Sequence, residues 1–260
     1  MSDEQLDRIR EQFTRTADVY ARMRQTTDTR ALDGLVALCD PPRSARALDV
    51  ACGPGFLTLA LARRCDSAIG FDATDAFLDL ARAEALHREQ RNVRFEHGDA
   101  EHLPFEPGSF DLVTCRAAFH HFPQPGRVLS EMVRVLAPGG RILVADMLGS
   151  DDAGSATLHD RIERLCDPTH ERALPAEELA NLFAKTGLST AREVHSSLEY
   201  DLDEWIAHGA PGDTARSEIV SLMESCLEED RADLAARRVE GRLRFRHRTA
   251  AFVLEHSARG

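Results

Sequence analysis

Lysine is nearly missing from this sequence: Lys185 stands alone, and the rest of its 32 basic residues are arginines. Acids outnumber bases by 44 to 32, and a net charge of −12 is repelled by a phosphate backbone unless arginines gather on one face. Nucleic acid is therefore excluded as the default partner, and small molecules move up. The arginine bias fits codon use in a GC-rich genome and carries no functional reading. Paired cysteines are missing too. Cys39, Cys52, Cys65, Cys115, Cys166 and Cys226 form no C-x-x-C pair and no Cys/His cluster of zinc-site spacing. They read as reduced, mostly buried thiols, and no metal is implied. No uncharged apolar run approaches the length of a membrane span, and Met1 to Arg10 lacks the apolar stretch of a secretory signal, so the expected location is the cytoplasm. Internal repeats, low-complexity tracts and flexible linkers are also lacking. What is present is 43% hydrophobic residues over 260 positions, enough for one core and too much for wholesale disorder.

Apolar residues recur at three- and four-residue steps from about Glu4 to Cys39, which predicts two helices, stopped by Asp40-Pro41-Pro42. Strands and helices then alternate. Strands are expected at Ala45–Val50, Ala68–Phe71, Val93–Glu96, Phe110–Cys115 and Arg141–Asp146, with helices at Gly55–Arg64, Ala76–Gln90 and Gln124–Leu136 between them. Such a beat means right-handed crossovers and an α/β, doubly wound, mostly parallel sheet covered on both faces. Gly149–Ala173 breaks the beat with a polar stretch and a short helix near Leu158–Cys166, an insertion that would overhang the sheet. A helix at Pro175–Thr186, a strand at Ala191–Tyr200, a helical stretch from Asp203 to about Ala236 and a last strand at Phe245–Leu254 complete the expectation. The whole reads as a single domain over 1–260: helices to 40, a core over 41–148, and the insertion with the last helices and strands over 149–260.

The chemistry concentrates at strand ends. Asp49-Val50-Ala51-Cys52-Gly53-Pro54-Gly55 lies where the first core strand turns into a helix. Glycine there permits a sharp turn and lets a ligand lie against the main chain and the helix N-terminus. Gly53 and Gly55 would also suit a dinucleotide, but Thr58 replaces the third glycine of that fingerprint, and Asp49 disfavours a pyrophosphate and suits a cation. Asp72, about twenty residues on, closes the next strand where an acid can accept both ribose hydroxyls of an adenosine; its plain alternative is a helix cap. In Gly98-Asp99-Ala100-Glu101-His102-Leu103-Pro104-Phe105, Asp99 is placed to accept from an adenine amino group, with the next backbone N–H donating to the ring.

Taken together, Asp49-x-Ala51-Cys52-Gly53-x-Gly55, Gly70-Phe71-Asp72, Gly98-Asp99-Ala100-Glu101-x-Leu103-Pro104-Phe105, Phe110-Asp111-Leu112-Val113 and Leu136-x-Pro138-Gly139-Gly140 resemble the class I S-adenosylmethionine-dependent methyltransferases. The similar branch is the small-molecule one that includes the ubiquinone and menaquinone C-methyltransferases. The resemblance covers about Phe13 to Leu188. It implies a Rossmann-like sheet of seven strands with an N-terminal helical lid and helical insertions. It also implies that Asp49, Ala51, Gly53 and Gly55 hold the methionine part of S-adenosylmethionine, Asp72 the ribose, and Asp99 and Ala100 the adenine, with Cys115 and Arg116 at the strand edge beneath. Ala51 stands where the usual pattern has a glycine, a swap the quinone branch shares. Phe13-x-x-x-Ala17-x-x-Tyr20 is similar to the family's lid helix, with Tyr20 over the cofactor; a core aromatic on an amphipathic helix is the other reading.

Three histidines face the acceptor question. His120 and His121 follow the fourth core strand, whose end meets the transferred methyl in this fold, so an imidazole there can take the acceptor's proton; they can equally cap or pack the turn. His170, in Asp167-Pro168-Thr169-His170 of the insertion, is similar to an acceptor-side loop of related proteins, although Asp-Pro-Thr forms a turn unaided. The expected activity is methyl transfer to a small molecule at an undetermined O, N or C centre, with S-adenosylhomocysteine as product. The rivals are a protein that binds the cofactor without methylating and, behind it, an NAD-dependent oxidoreductase. Asp40-Pro41-Pro42 is superficially like the amino-methylase motif of nucleic-acid enzymes but lies before the first core strand. A homodimer is allowed and not specified.

Overall fold

The computed structural model describes residues 1–256; positions 257–260, the end of the 149–260 section, lie outside the described residues. Seven strands form one path and an eighth joins it from the side. In chain order they are β1 (Arg46–Val50), β2 (Ser67–Asp72), β3 (Val93–His97), β4 (Phe110–Arg116), β5 (Leu136–Met147), β6 (Leu188–Asp201), β7 (Arg237–Val239) and β8 (Arg242–His256). Their order is β3-β2-β1-β4-β5-β8-β6, with β7 on β8. The first five are parallel, and β8 runs antiparallel to both β5 and β6. The order reverses between β1 and β4, the switch point outside whose carboxyl ends an open α/β sheet binds its ligand.

Period-two alternation sorts the parallel strands into two faces. Leu48, Val50, Val113, Ile142 and Val144 meet α6 (Pro125–Val135) and α8 (Ala176–Lys185). Ala47, Ala68, Leu112 and Leu143 meet α3 (Thr29–Cys39) and α4 (Phe56–Ala62). The sheet is thus doubly wound. Of the first forty residues, only α1 (Asp3–Tyr20) and the one-turn α2 (Arg24–Thr27) lie off this sandwich. α1 packs Ile9, Phe13 and Ala17 on Phe77 of α5 (Asp75–His87), while α3 belongs to the sheet face.

The section after residue 148 departs from expectation in its helices and in the short added strand β7. The stretch from Asp203 to about Ala236 is not one helix: α9 (Leu202–Gly209) ends at Ala210, whose φ is +49°, and α10 (Asp213–Ser225) follows Pro211. A proline cannot continue the ladder, and the chain from Cys226 to Ala236 runs in turns. The insertion helix α7 spans Ala153–Cys166, five residues longer than expected at its start because Asp152 caps it by accepting from Ser155 N–H. Ile162, Cys166, Trp205, Ile206, Ile219, Met223 and Phe245 form the cap's own core.

Phe252 in β8 is 1% exposed and meets the Phe183 ring edge-on at 5.3 Å between centroids. Phe252→Ala is expected to cost about 3–5 kcal/mol in urea unfolding, whereas Val194→Ala on the exposed edge strand β6 should change stability by under about 0.5 kcal/mol.

Candidate active site

Asp49 and its neighbours set the floor of the crevice. On β1, Ala47 and Asp49 share the face that meets α4, and the Asp49 side chain takes hydroxyls from both flanking elements. Thr58 of α4 donates to one carboxylate oxygen at 2.7 Å and Thr114 of β4 to the other at 2.7 Å. The group is 1% exposed yet lines the cavity. Burial pushes its pKa up to about 6, against the two hydroxyl bonds and Arg116.

The loop above it is wound left-handed at Ala51 (φ +54°), Gly53 (φ +53°) and Gly55 (φ +77°). The two glycines serve different needs. A Cβ on Gly53 would meet nothing nearer than Phe77 at 4.0 Å, so its bare face is the cavity wall, whereas one on Gly55 would fall 2.7 Å from both Ala81 Cβ and the Phe95 ring. Gly55 therefore lets α4 start against α5 and β3 and does not itself line the cavity. Asp72 fixes the loop from beside it, accepting from Gly53 N–H at 2.8 Å and Thr74 N–H at 2.9 Å. Burial raises its pKa against those two bonds.

Tyr20, Asp49, Ala51, Gly53, Asp72, Ala100, Arg116, His120, His121 and His170 all border one cavity. Cys115 does not: it is fully buried among the apolar residues of the sheet. Asp99 is also off the wall, its carboxylate held by the Met1 amino group at 2.8 Å and His102 at 3.0 Å. Arg116 reaches from the end of β4 to the Gln25 carbonyl, tying α2 to the sheet. Tyr20 packs edge-on against Phe13, Phe77 and His208 and borders the cavity.

The histidines differ sharply in electrostatics. Backbone N–H groups of Phe119 and His120 donate to Asp146 at the end of β5, and the His120 ring meets the same carboxylate through Nδ1 at 2.6 Å. Burial pulls the His120 pKa down, but the Asp146 charge and hydrogen bond outweigh it and the net shift is upward. His121 approaches Thr169 O through Nδ1 at 3.2 Å, and burial with the neighbouring His120 pushes it down to about 4. The Asp167–His170 turn brings His170 against His120, with ring centroids 5.5 Å apart, and its Nε2 meets Asp160 at 2.8 Å.

Several residues of the site escaped the sequence: Glu163, Tyr200, Trp205, His208 and His247 on the wall, and Asp146 behind His120. Asp146 ends a strand beside the switch point, a position rule that could have flagged it. The rest lie in the cap, where no strand-end rule applies.

Residues 48–144 match the methyltransferase domain family. The Bacillus subtilis protein YcgJ, described as an uncharacterized methyltransferase, is 29% identical over 219 residues, 84% of this chain and 87% of that one. Its crystal structure superimposes with a TM-score of 0.82 at 27% identity, over 88% of this chain and all of that one. The demethylmenaquinone methyltransferase of Deinococcus radiodurans is 43% identical over 112 residues, 42% of this chain and 45% of that one. Residues 48–144 are thus a methyltransferase domain, and these likenesses support S-adenosylmethionine-dependent methyl transfer. The glycine loop and strand-end acids lie within or beside the matched domain, while the cap that covers them lies beyond it. The carboxylates suit the ligand: Asp49 lacks a cationic hydrogen-bond partner among the described residues, and Asp72 keeps lone pairs for hydroxyls.

Ala51 holds a left-handed conformation in which a Cβ costs about 1–2 kcal/mol. Ala51→Gly relieves that and loses part of the gain to chain entropy. The methyltransferase should gain about 0.5–1 kcal/mol in thermal unfolding, with its affinity for S-adenosylhomocysteine unchanged.

Proposed function

We propose that the methyltransferase acts on a small planar acceptor bearing an acidic hydroxyl or enol-type carbon, with His120 as general base. The observation that carries this is the buried pair of His120, on the wall of the crevice, with Asp146 behind it at 2.6 Å. Asp146 accepts from Nδ1–H, which fixes the tautomer and leaves Nε2 free to take a proton. His121, held neutral with its pKa near 4, is suited to accepting or donating one hydrogen bond and poorly suited to storing a proton.

S-adenosylmethionine supplies a methyl group on a sulfonium and most of the chemical drive. The protein's part is placement and exclusion of water. We assign Asp49 to the cationic part of the cofactor, Asp72 to its ribose hydroxyls, Gly53 and Ala51 to its close approach, Ala100 to its adenine, and Arg116 to a carboxylate. Phe13, Tyr20, Phe77, Phe122, Tyr200 and Trp205 border the same cavity; flat aromatic walls favour a flat acceptor. The Deinococcus relative's name, which carries a quinone-type acceptor, agrees with that class over the shared domain. No helix among the described residues is long and apolar enough to cross a membrane, and the acidic net charge argues against nucleic acid as the acceptor.

Turnover on a panel of phenols, quinols, enols and amines, read by mass spectrometry, should give methylated phenol or enol products with one S-adenosylhomocysteine each. Tight S-adenosylhomocysteine binding without any product would instead favour a protein that only binds the cofactor. Because the base must be neutral, kcat should rise with pH along a limb whose pKa lies above 6.5. Asp146→Asn should move that limb downward, and His120→Gln should lower kcat by about 10²–10⁴-fold; a limb unmoved in Asp146→Asn would refute the assignment.

A further inference from the structure

We propose that the cap holds a second site, for a divalent first-row transition metal ion, formed by His159, Glu163 and His247. None of these residues has a role in the acceptor and cofactor assignments above, although Glu163 and His247 border the crevice. His159 and Glu163 stand four apart on α7 and so share one face of the helix. His247 comes from β8, opposite Leu198 of β6. One ligand atom from each lies within 4.8 Å of the other two.

All three side chains are buried, at 2%, 5% and 2% exposure. His159 Nε2, Glu163 Oε1 and His247 Nε2 have no well-aligned hydrogen-bond partner and approach only one another. Buried polar atoms are almost always well partnered, and three that converge on one point without aligned bonds suit a common partner between them. The spacing suits an ion. Two ligand atoms about 2.0–2.1 Å from one metal at a tetrahedral angle lie about 3.3 Å apart. His247 Nε2 and His159 Nε2 stand 2.9 Å and 3.6 Å from the same Glu163 oxygen. Two imidazoles and one carboxylate form the donor set of zinc and of other late first-row divalent ions, and they do not suit magnesium or calcium, which take oxygen ligands.

Glu163 and His247 border the same cavity as His120, while His159 stands behind them. The ion's remaining coordination positions therefore face the cavity between Tyr200, Trp205 and Leu198. An oxygen donor, water or a small molecule, would complete its coordination there. Sequence could suggest half of this, through His159-x-x-x-Glu163 on a helix; His247 lies 84 positions beyond Glu163 and is joined only by the fold.

The test titrates cobalt(II) and zinc into the full chain without a histidine tag. Cobalt should bind at one equivalent with visible d–d absorption of a four- or five-coordinate ion, zinc should displace it, and zinc should raise Tm. Glu163→Gln and His247→Ala should each weaken binding at least 10-fold, while exposed His87→Ala leaves it unchanged. Circular dichroism reports whether each variant folds, and His159→Gln serves if either does not. The proposal is overturned if cobalt gives no d–d band and zinc no rise in Tm, or if binding survives in the folded Glu163 and His247 variants. Because these readouts involve no methyl transfer, they stand or fall independently of the acceptor assignment.

Discussion

Everything in the crevice depends on one carboxylate kept from water. Asp49 joins three elements at the point where strand order reverses: it belongs to β1, takes a hydroxyl from α4 through Thr58, and takes another from β4 through Thr114. The two hydroxyls fix its orientation without neutralising it, and burial then makes the charged form costly. A group in that condition gains most from a cationic ligand. The left-handed loop from Ala51 to Gly55 and the Asp72 clamp on Gly53 N–H keep the main chain open above it.

A second layer closes the site from above. α1 brings Phe13 and Tyr20 over Phe77, and α7 and α9 bring Glu163, Trp205 and His208 toward the end of the sheet. Gln12 of α1 donates to the Gly209 carbonyl at 3.0 Å, linking helix and cap across the opening. Methyl transfer from a sulfonium needs alignment and a dry cavity more than acid–base power, and this arrangement supplies both. On the proposed reading, His120 adds a base where the acceptor demands one.

The sheet was legible in the sequence because β1, β2, β4 and β5 each carry a short, mainly apolar run, and acids at strand ends lie at predictable places. Asp49, Asp72 and Ala100 follow from that rule. The cap was less legible. One amphipathic pattern from Asp203 to about Ala236 conceals a break at Ala210-Pro211, and apolar periodicity does not say when a chain stops being helical. Asp99 sits where strand-end logic put it, but its charge is met by Met1, a contact between residues 98 positions apart. Cys115 shows the limit of carrying a strand edge over by resemblance: alternation turns it into the core and leaves Arg116 at the mouth. His120 and His121 are adjacent in sequence with opposite properties, set by Asp146 in one case and by burial in the other.

The central claim is that buried Asp49 meets the cofactor as an anion. Calorimetry of S-adenosylmethionine binding near pH 6, in buffers of different ionisation enthalpy, reads it directly. With the carboxyl at about 6 in the free protein, binding of the cation should release about half a proton at that pH. The release should vanish near pH 8 and in Asp49→Asn. Binding without proton release at pH 6, or with the same release in Asp49→Asn, would contradict the account.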